Sequence, residues 1–145
     1  MTNPSEVLER GTQAWRARDP EAFASTYSED AVMTGPGGME LHGRDGAKQF
    51  MAGWCEAVPD NDVEIVREHV CGSVVVQEGT FMGTHTGNLT APDGQVVPPT
   101  GRSIRAPYVE VFELDGDHVV ADRLYFDQVE LLTQLGLMPA PAATG

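Results

Sequence analysis

The chain has 145 residues, 41% of them hydrophobic, and its 22 acidic and 9 basic side chains give a formal net charge of -13. This length and apolar content fit a single domain with a real core, which we place at residues 1–138, followed by a flexible Ala/Pro-rich tail at 139–145. The negative charge would repel phosphate backbones and anionic lipid heads, so we expect neither nucleic acid nor membrane as a partner. The first residues lack the basic and apolar segments of a signal peptide, and we therefore expect a cytoplasmic protein.

The first half of the chain has helical periodicity. Three helices are predicted: residues 5–18 with Ser5 as N-cap, a second with Asp19 as N-cap that carries Phe23 and Tyr27, and a third over about 45–57. A short strand at 31–33, which contains Met33, separates the second helix from the third. The aromatic side chains recur at helical spacing and should face a common core, where some of them line whatever cavity it encloses. They are Trp15, Phe23, Tyr27, Phe50 and Trp54.

The second half reads as extended chain. Strands are predicted at 63–69, 74–84, 104–114 and 118–126, before a short helix that Gly136 closes. Three helices followed by a meander of strands predict an α+β fold, with the helices packed on one face of a curved antiparallel sheet. The intervening loop, residues 86–101, is long for such a domain and is predicted to cover the mouth of a pocket.

Glu110 and Asp122 interrupt two otherwise apolar strands, where acids are uncommon. A hairpin with a bulge at Gly116 would pair Tyr108 with Asp122 and Glu110 with Val120, and would place both acids on one face. A two-residue turn at the same point would send them to opposite faces. We prefer the bulge, because it surrounds the acids with apolar side chains and leaves the charged ones on the other face.

Two carboxyls in an apolar pocket suit acid/base catalysis. Burial disfavours their charged forms, and their proximity drives their pKa values apart, as proton abstraction from carbon and protonation of an alkoxide require. Asp122 and Glu110 are therefore the candidate catalytic residues. The alternative is that either acid pairs with Arg105 or Arg123 at an edge or a dimer interface.

Other side chains near the acids complete the predicted site. Tyr108 either donates a hydrogen bond to a developing enolate or is a plain core aromatic. His85, at a strand end, is either a pocket base or an anchor of the long loop. The remaining candidate substrate-binding residues share the acid face: Phe112, Leu124 and Phe126.

Metal and nucleophile motifs are missing from the sequence. Cys55 and Cys71 lie in apolar segments without metal-ligand spacing, so they are predicted to be buried free thiols. No nucleophile elbow, P-loop, dinucleotide fingerprint or zinc-binding helix motif occurs, and the sequence predicts no metal site.

Six short segments, taken in their order and spacing along the chain, point to a known family. They are Ala14–Asp19, Tyr27–Val32, Gly83–Gly87, Gly101–Arg102, Val111–Gly116 and Leu131–Gly136. Together they resemble the SnoaL-like polyketide cyclases, members of a cone-fold superfamily that also includes ketosteroid isomerase, scytalone dehydratase and nuclear transport factor two. The resemblance spans nearly the whole chain.

The resemblance implies a cone-shaped half-barrel, with three N-terminal helices on its concave face and a short C-terminal helix. It also implies an enzyme without metal or organic cofactor, in which a pocket Asp acts as acid and base in the intramolecular aldol closure of a polyketide ester. Here Asp122 stands where many relatives carry His, and Leu124 where they carry Asp. This difference slightly favours a second mechanism, in which the pocket acts mainly by folding its substrate for a pericyclic-type closure.

We therefore expect a cofactor-independent cyclase of antibiotic biosynthesis with a hydrophobic small-molecule substrate. The alternatives are an isomerase, dehydratase or epoxide hydrolase on the same fold, or a non-catalytic binding or assembly module. A homodimer through the convex face of the sheet is also expected, because that face is predicted to be apolar. Its predicted residues are Val109, Val111, Val119, Ala121 and Tyr125.

Overall fold

Four helices and eight strands make up residues 3–139, the part of the chain that the computed structural model describes. In chain order they are α1 (Pro4–Arg16), α2 (Pro20–Ser25), β1 (Tyr27–Gly35), β2 (Met39–His42), α3 (Gly43–Ala57), β3 (Asp62–Cys71), β4 (Val74–Thr84), β5 (Leu89–Thr90), β6 (Val96–Val97), β7 (Ser103–Asp115), β8 (His118–Phe126) and α4 (Gln128–Gln134). Except for Pro139, the predicted tail lies outside the described residues. No described helix is long and apolar enough to span a membrane.

Six strands form one curved sheet in the order β2-β1-β8-β7-β4-β3. All neighbours are antiparallel except β1 and β8, which are parallel. The parallel pair is possible because the whole of the chain from α3 to β7 lies between these two strands in sequence. The α+β fold, with helices on one face of the sheet and a short C-terminal helix, is confirmed.

The first helix begins two residues earlier than its predicted cap implies. Asn3 is the N-cap, and its Oδ1 accepts a hydrogen bond from the backbone N–H of Ser5 at 2.9 Å. Pro4 follows at the first helical position, where a missing N–H costs nothing. The predicted cap at Ser5 is therefore wrong, while Asp19 caps α2 as predicted.

Tyr27 does not belong to the second helix. Thr26 is the C-cap of α2, and Tyr27 is the first residue of β1. The expected contact with Phe23 is nevertheless made, with ring centroids 5.4 Å apart. Because Tyr27 begins a strand, its side chain projects from a face of the sheet instead of from the side of α2.

The hairpin of β7 and β8 has a different register from the predicted one. Asp115 pairs with His118 across a two-residue turn, and a bulge at Val120 then shifts the register so that Glu110 pairs with Leu124 and Phe112 with Asp122. The predicted pairs and the predicted bulge at the turn are wrong. Because the bulge adds one residue to β8, both acids still share a face.

The same bulge reverses the prediction for Val119. Val119 is buried on the inner face of the sheet, and not on the convex face, where the sequence pattern had placed it. Tyr125 and Val109 remain exposed. Cys71, predicted to be buried, is exposed at the end of β3, and Cys55 is partly buried.

Candidate active site

The helices and the inner face of the sheet line a cavity of about 120 Å³. Its wall is almost entirely apolar. The lining residues are Leu8, Gly11, Thr12, Trp15, Phe23, Thr26, Tyr27, Phe50, Trp54, Val63, Ile65, Gln77, Phe81, Ala106, Tyr108, Glu110, Phe112, Val119, Leu124, Phe126 and Leu131. Low polarity with a few convergent polar groups is typical of small-molecule sites.

Most of the predicted substrate-binding residues lie on this wall. Eight of them do so: Trp15, Phe23, Tyr27, Phe50, Trp54, Phe112, Leu124 and Phe126. Met33 does not line the cavity, because it packs in the core behind the wall and is 3% exposed. Its strand lies beside β8, where Met33 is level with Asp122.

The two acids occupy different depths. Glu110 lines the cavity, whereas Asp122 is 0% exposed and lies behind the wall. Tyr27 donates a hydrogen bond from its hydroxyl to Oδ2 of Asp122 at 2.6 Å. The prediction that the Asp122 carboxyl points into the cavity beside Tyr108 is therefore wrong, and Glu110 is the carboxyl that a ligand meets.

Glu110 and Asp122 are diagonal neighbours on adjacent strands, close enough for long side chains to interact. Burial raises the pKa of both carboxyls. The charge of Asp122 raises the pKa of Glu110 further, whereas Glu110 and the Tyr27 hydroxyl act to lower the pKa of Asp122. When the pair holds one proton, these interactions favour placing it on Glu110 and the charge on Asp122.

One oxygen of Asp122 is free to accept a hydrogen bond from the protonated Glu110 carboxyl. Among the described residues, Oδ1 has no hydrogen-bond partner of ordinary geometry, although it is fully buried. A protonated Glu110 is the group placed to satisfy it, and a buried acceptor without a partner is costly. The side chains of Tyr27, Asp122 and Glu110 thus form a row in which Asp122 lies behind the wall and the other two lie on it.

The arginines near the acids in sequence do not neutralise the pair. Arg123 lies on the outer face, where it donates to Glu113. Arg105 approaches Glu64 at 3.8 Å, also outside. The alternative in which these arginines hold Glu110 or Asp122 is therefore not the arrangement found.

Tyr108 lines the cavity but stands apart from Asp122. It pairs with Phe126 on β8 and lies level with Gly79 on β4. A Cβ atom at Gly79 would lie 2.5 Å from Cζ of Tyr108, so the ring covers the glycine. Burial is the main cause that raises the pKa of Tyr108, and the neighbouring Glu110 carboxyl acts in the same direction, so the hydroxyl stays protonated as a hydrogen-bond donor.

His85 lies outside the cavity wall and anchors the long loop. Its Nδ1 accepts a hydrogen bond from the backbone N–H of Thr100 at 3.2 Å, and the backbone N–H of His85 donates to the carbonyl of Arg102. Desolvation lowers the pKa of His85, so the ring is neutral, while a backbone contact with Gly87 acts in the opposite direction. These contacts are those of a loop anchor, and His85 does not line the cavity.

The long loop does not cover the cavity. Its first N–H groups, at Thr86 and Gly87, donate to the carbonyl of Ala57 at the end of α3, and Leu89 packs against a second core cluster. All of residues 86–101 are described, and none of them lines the cavity. The predicted lid is therefore wrong for this segment.

The cavity instead adjoins a polar depression between α1 and β3, which we call the vestibule. Its residues are Ser5, Glu9, Thr12, Arg16, Asp62, Val63, Glu64, Ile65, Glu68, Gln77 and Met82. Four of them, Thr12, Val63, Ile65 and Gln77, also line the cavity. Access to the carboxyl pair thus lies beside the first helix.

Gln77 is the site residue that the sequence analysis missed. It occupies an inward position of β4 between Val75 and Gly79, and its side chain is 5% exposed. The signal was the one that singled out the acids, a polar residue at an inward position of an apolar strand. Within residues 3–139 no group of three or more His, Cys, Asp or Glu side chains could hold a metal ion.

Comparisons with known proteins agree with this architecture. The sequence profile of the SnoaL-like domain matches residues 8–121, and no curated protein sequence matches the chain. A candidate SnoaL-like polyketide cyclase from Jannaschia sp. CCS1 superposes with a TM-score of 0.81 at 21% identity, covering 94% of this chain and 93% of that one.

Two further solved structures show the range of proteins with this fold. IdmH from Streptomyces antibioticus, a candidate polyketide cyclase, has a TM-score of 0.74 at 24% identity, covering 93% of this chain and 99% of its own. An LEH-like epoxide hydrolase from M. tuberculosis has a TM-score of 0.69 at 18% identity, covering 91% of this chain and 88% of its own. At these identities the structures establish the fold alone.

Proposed function

This chain belongs to the SnoaL-like domain family, and we propose that it is a cofactor-independent cyclase that closes a ring in a hydrophobic polyketide-type intermediate by acid/base catalysis. The observation that carries the proposal is the carboxyl pair of Glu110 and Asp122, backed by Tyr27, at the wall of an apolar cavity. Burial raises the pKa of both carboxyls, and perturbed carboxyls at a cavity are candidates for acid/base catalysis.

The pair can both remove and return one proton. With Glu110 protonated and Asp122 ionised, the free oxygen of Glu110 accepts a proton from a carbon beside the substrate carbonyl, while the proton already on Glu110 moves to Oδ1 of Asp122. The resulting enolate carbon attacks a second carbonyl carbon of the same molecule. The new alkoxide takes its proton from Glu110, and the proton on Asp122 returns. Product and substrate are isomers, so no other reactant is needed.

The rest of the cavity supports this chemistry by its shape and low polarity. Aromatic and aliphatic side chains exclude water from the enolate, and Tyr108 offers a neutral donor to the developing oxyanion. The same apolar wall favours the second candidate function, closure by substrate folding, in which positioning lowers the barrier without proton transfer. The two functions differ in whether a C–H bond beside a carbonyl is broken.

Proton exchange at carbon tests the proposal without knowledge of the natural substrate. β-Tetralone, a hydrophobic ketone with acidic C–H bonds, is incubated with the protein in heavy water, and loss of its α-proton signal is followed by NMR. We expect catalysed exchange in the wild type and a loss of roughly 10²–10⁴-fold in both Glu110→Gln and Asp122→Asn. Glu40→Gln is a matched control, because its side chain is 60% exposed on β2.

The outcomes separate the functional classes. Both tryptophans of the chain line the cavity, so quenching of their fluorescence reports binding of the ketone independently. Binding without catalysed exchange would support closure by substrate folding instead. Failure of this and other hydrophobic carbonyl compounds to bind would support the non-catalytic module.

A further inference from the structure

Gln77 is a buried polar residue of the cavity wall that the proposed proton transfers do not use. It lies level with Glu68 on β3 and with Glu110 on β7. Residues paired across a sheet share a face, so the three polar side chains form a row from the edge strand to the carboxyl pair. Gln77 is the middle member of this row and lines both the cavity and the vestibule.

Glu68 determines which way the Gln77 amide faces. Nε2 of Gln77 donates to Oε2 of Glu68 at 2.9 Å, and the other oxygen of Glu68 accepts from the Ser5 hydroxyl at 2.5 Å. A carboxylate can only accept, so the amide nitrogen must be the atom that faces Glu68. The orientation of the amide is thus tied to the start of α1.

The amide oxygen of Gln77 is left without a protein partner. No residue between 3 and 139 donates a hydrogen bond to it, although the side chain is 5% exposed. Unlike Oδ1 of Asp122, this oxygen is not closed off inside the protein, so it faces the space of the cavity and the vestibule that Gln77 lines. A hydroxyl on a bound ligand would satisfy it.

We propose that Gln77 is a second polar contact for the ligand and selects molecules with a hydroxyl or enol placed beside the oxygen that binds at Glu110. Cross-strand neighbours begin about 5 Å apart, which matches two oxygens on alternate carbons of a ring or chain. The substrate class is therefore a hydrophobic molecule with alternating oxygen functions. This inference rests on the proposed function only in taking Glu110 as the first contact.

Two ligands that differ by one hydroxyl test the contact by equilibrium binding. Pentylresorcinol carries two hydroxyls on alternate ring carbons, and the corresponding meta-pentylphenol carries one. Titration calorimetry with the wild type should show about 2–10-fold tighter binding of pentylresorcinol, the value of one neutral hydrogen bond. Gln77→Met keeps the side-chain length and should abolish this preference while still binding pentylphenol.

Glu68→Ala provides a second variant, because it leaves Gln77 in place and removes the carboxylate that orients it, together with the exposed contact of that carboxylate with Ser5. It should reduce the preference for pentylresorcinol without changing the affinity for pentylphenol, a result that a purely structural role would not produce. Gln13→Met makes the same chemical change on the exposed side of α1 and should keep the full preference. If Gln77→Met does not fold, Glu68→Ala decides the question alone.

An undiminished preference in the folded variants, or equal affinities of the two ligands for the wild type, would overturn the assignment of Gln77. Neither result bears on proton transfer, which the exchange of β-tetralone measures separately. Conversely, a protein that fails to catalyse exchange but discriminates the two phenols through Gln77 would retain this contact and lose the acid/base mechanism.

Discussion

Tyr27→Phe isolates the contribution of one hydroxyl to the buried carboxyl pair. The change keeps the ring, which packs on Phe23, and deletes the donor that lies 2.6 Å from Oδ2 of Asp122. A hydrogen bond to a charged group contributes about 1.5–3 kcal/mol, against about 0.5–1.5 kcal/mol for a neutral pair. We expect a loss of unfolding free energy in the larger range where Asp122 is ionised and in the smaller range where it is protonated.

The loss depends on pH because Asp122 titrates differently in the folded and unfolded chains. Burial raises its folded-state pKa above the ordinary value of 3.8, so the carboxyl favours folding most below that pH and less as the pH rises through the folded-state pKa. Removing the Tyr27 hydroxyl raises that pKa further. The difference in stability between variant and wild type should therefore widen as the pH increases.

Urea unfolding near pH 4 and near pH 8 measures the loss of unfolding free energy in Tyr27→Phe at each pH. Tyr125→Phe removes a hydroxyl from a side chain that is 55% exposed and serves as the control. A loss for Tyr27→Phe that is below about 0.5 kcal/mol, the range of ordinary surface changes, or that is equal at both pH values would refute the assignment of charge to Asp122.

Three further predictions follow from the same structure. Glu110→Gln should raise the thermal midpoint at neutral pH, by about 3 °C for each kcal/mol recovered. Burial and the nearby Asp122 charge raise the pKa of Glu110, so this carboxyl destabilises the fold at pH values above its ordinary pKa of 4.5. Calorimetry that shows the same gain at acidic pH would contradict this. Gly79→Ala should cost about 1–3 kcal/mol in denaturant unfolding, since its Cβ would lie 2.5 Å from the Tyr108 ring, and an equal cost in a Tyr108→Ala background would show that the ring is not the cause. We also propose a homodimer through the exposed apolar surface around Val109 and Tyr125; light scattering at micromolar concentration should give a dimer mass that Tyr125→Arg reduces, and a monomeric wild type would remove the proposal.

Local sequence patterns were sufficient for most of the secondary structure. The boundaries of β4 and β8 agree with the predicted ones, and α2 begins at the predicted cap. These elements depend on side-chain alternation and on capping residues, which act over a few neighbouring positions. The same reasoning found both acids, because a carboxyl in an apolar strand stands out without any knowledge of the fold.

Only the tertiary structure shows which of the two acids lines the cavity. A single bulge at Val120 sets the register of β8, and one residue of shift moves every following side chain to the other face. The partner of Asp122 is Tyr27, 95 residues away in sequence, and it reaches the carboxyl because β1 lies beside β8 in parallel. Gln77 likewise lies beside Glu110 because β4 pairs with β7. Contacts of this kind depend on the summed packing of the whole sheet, which no short segment encodes.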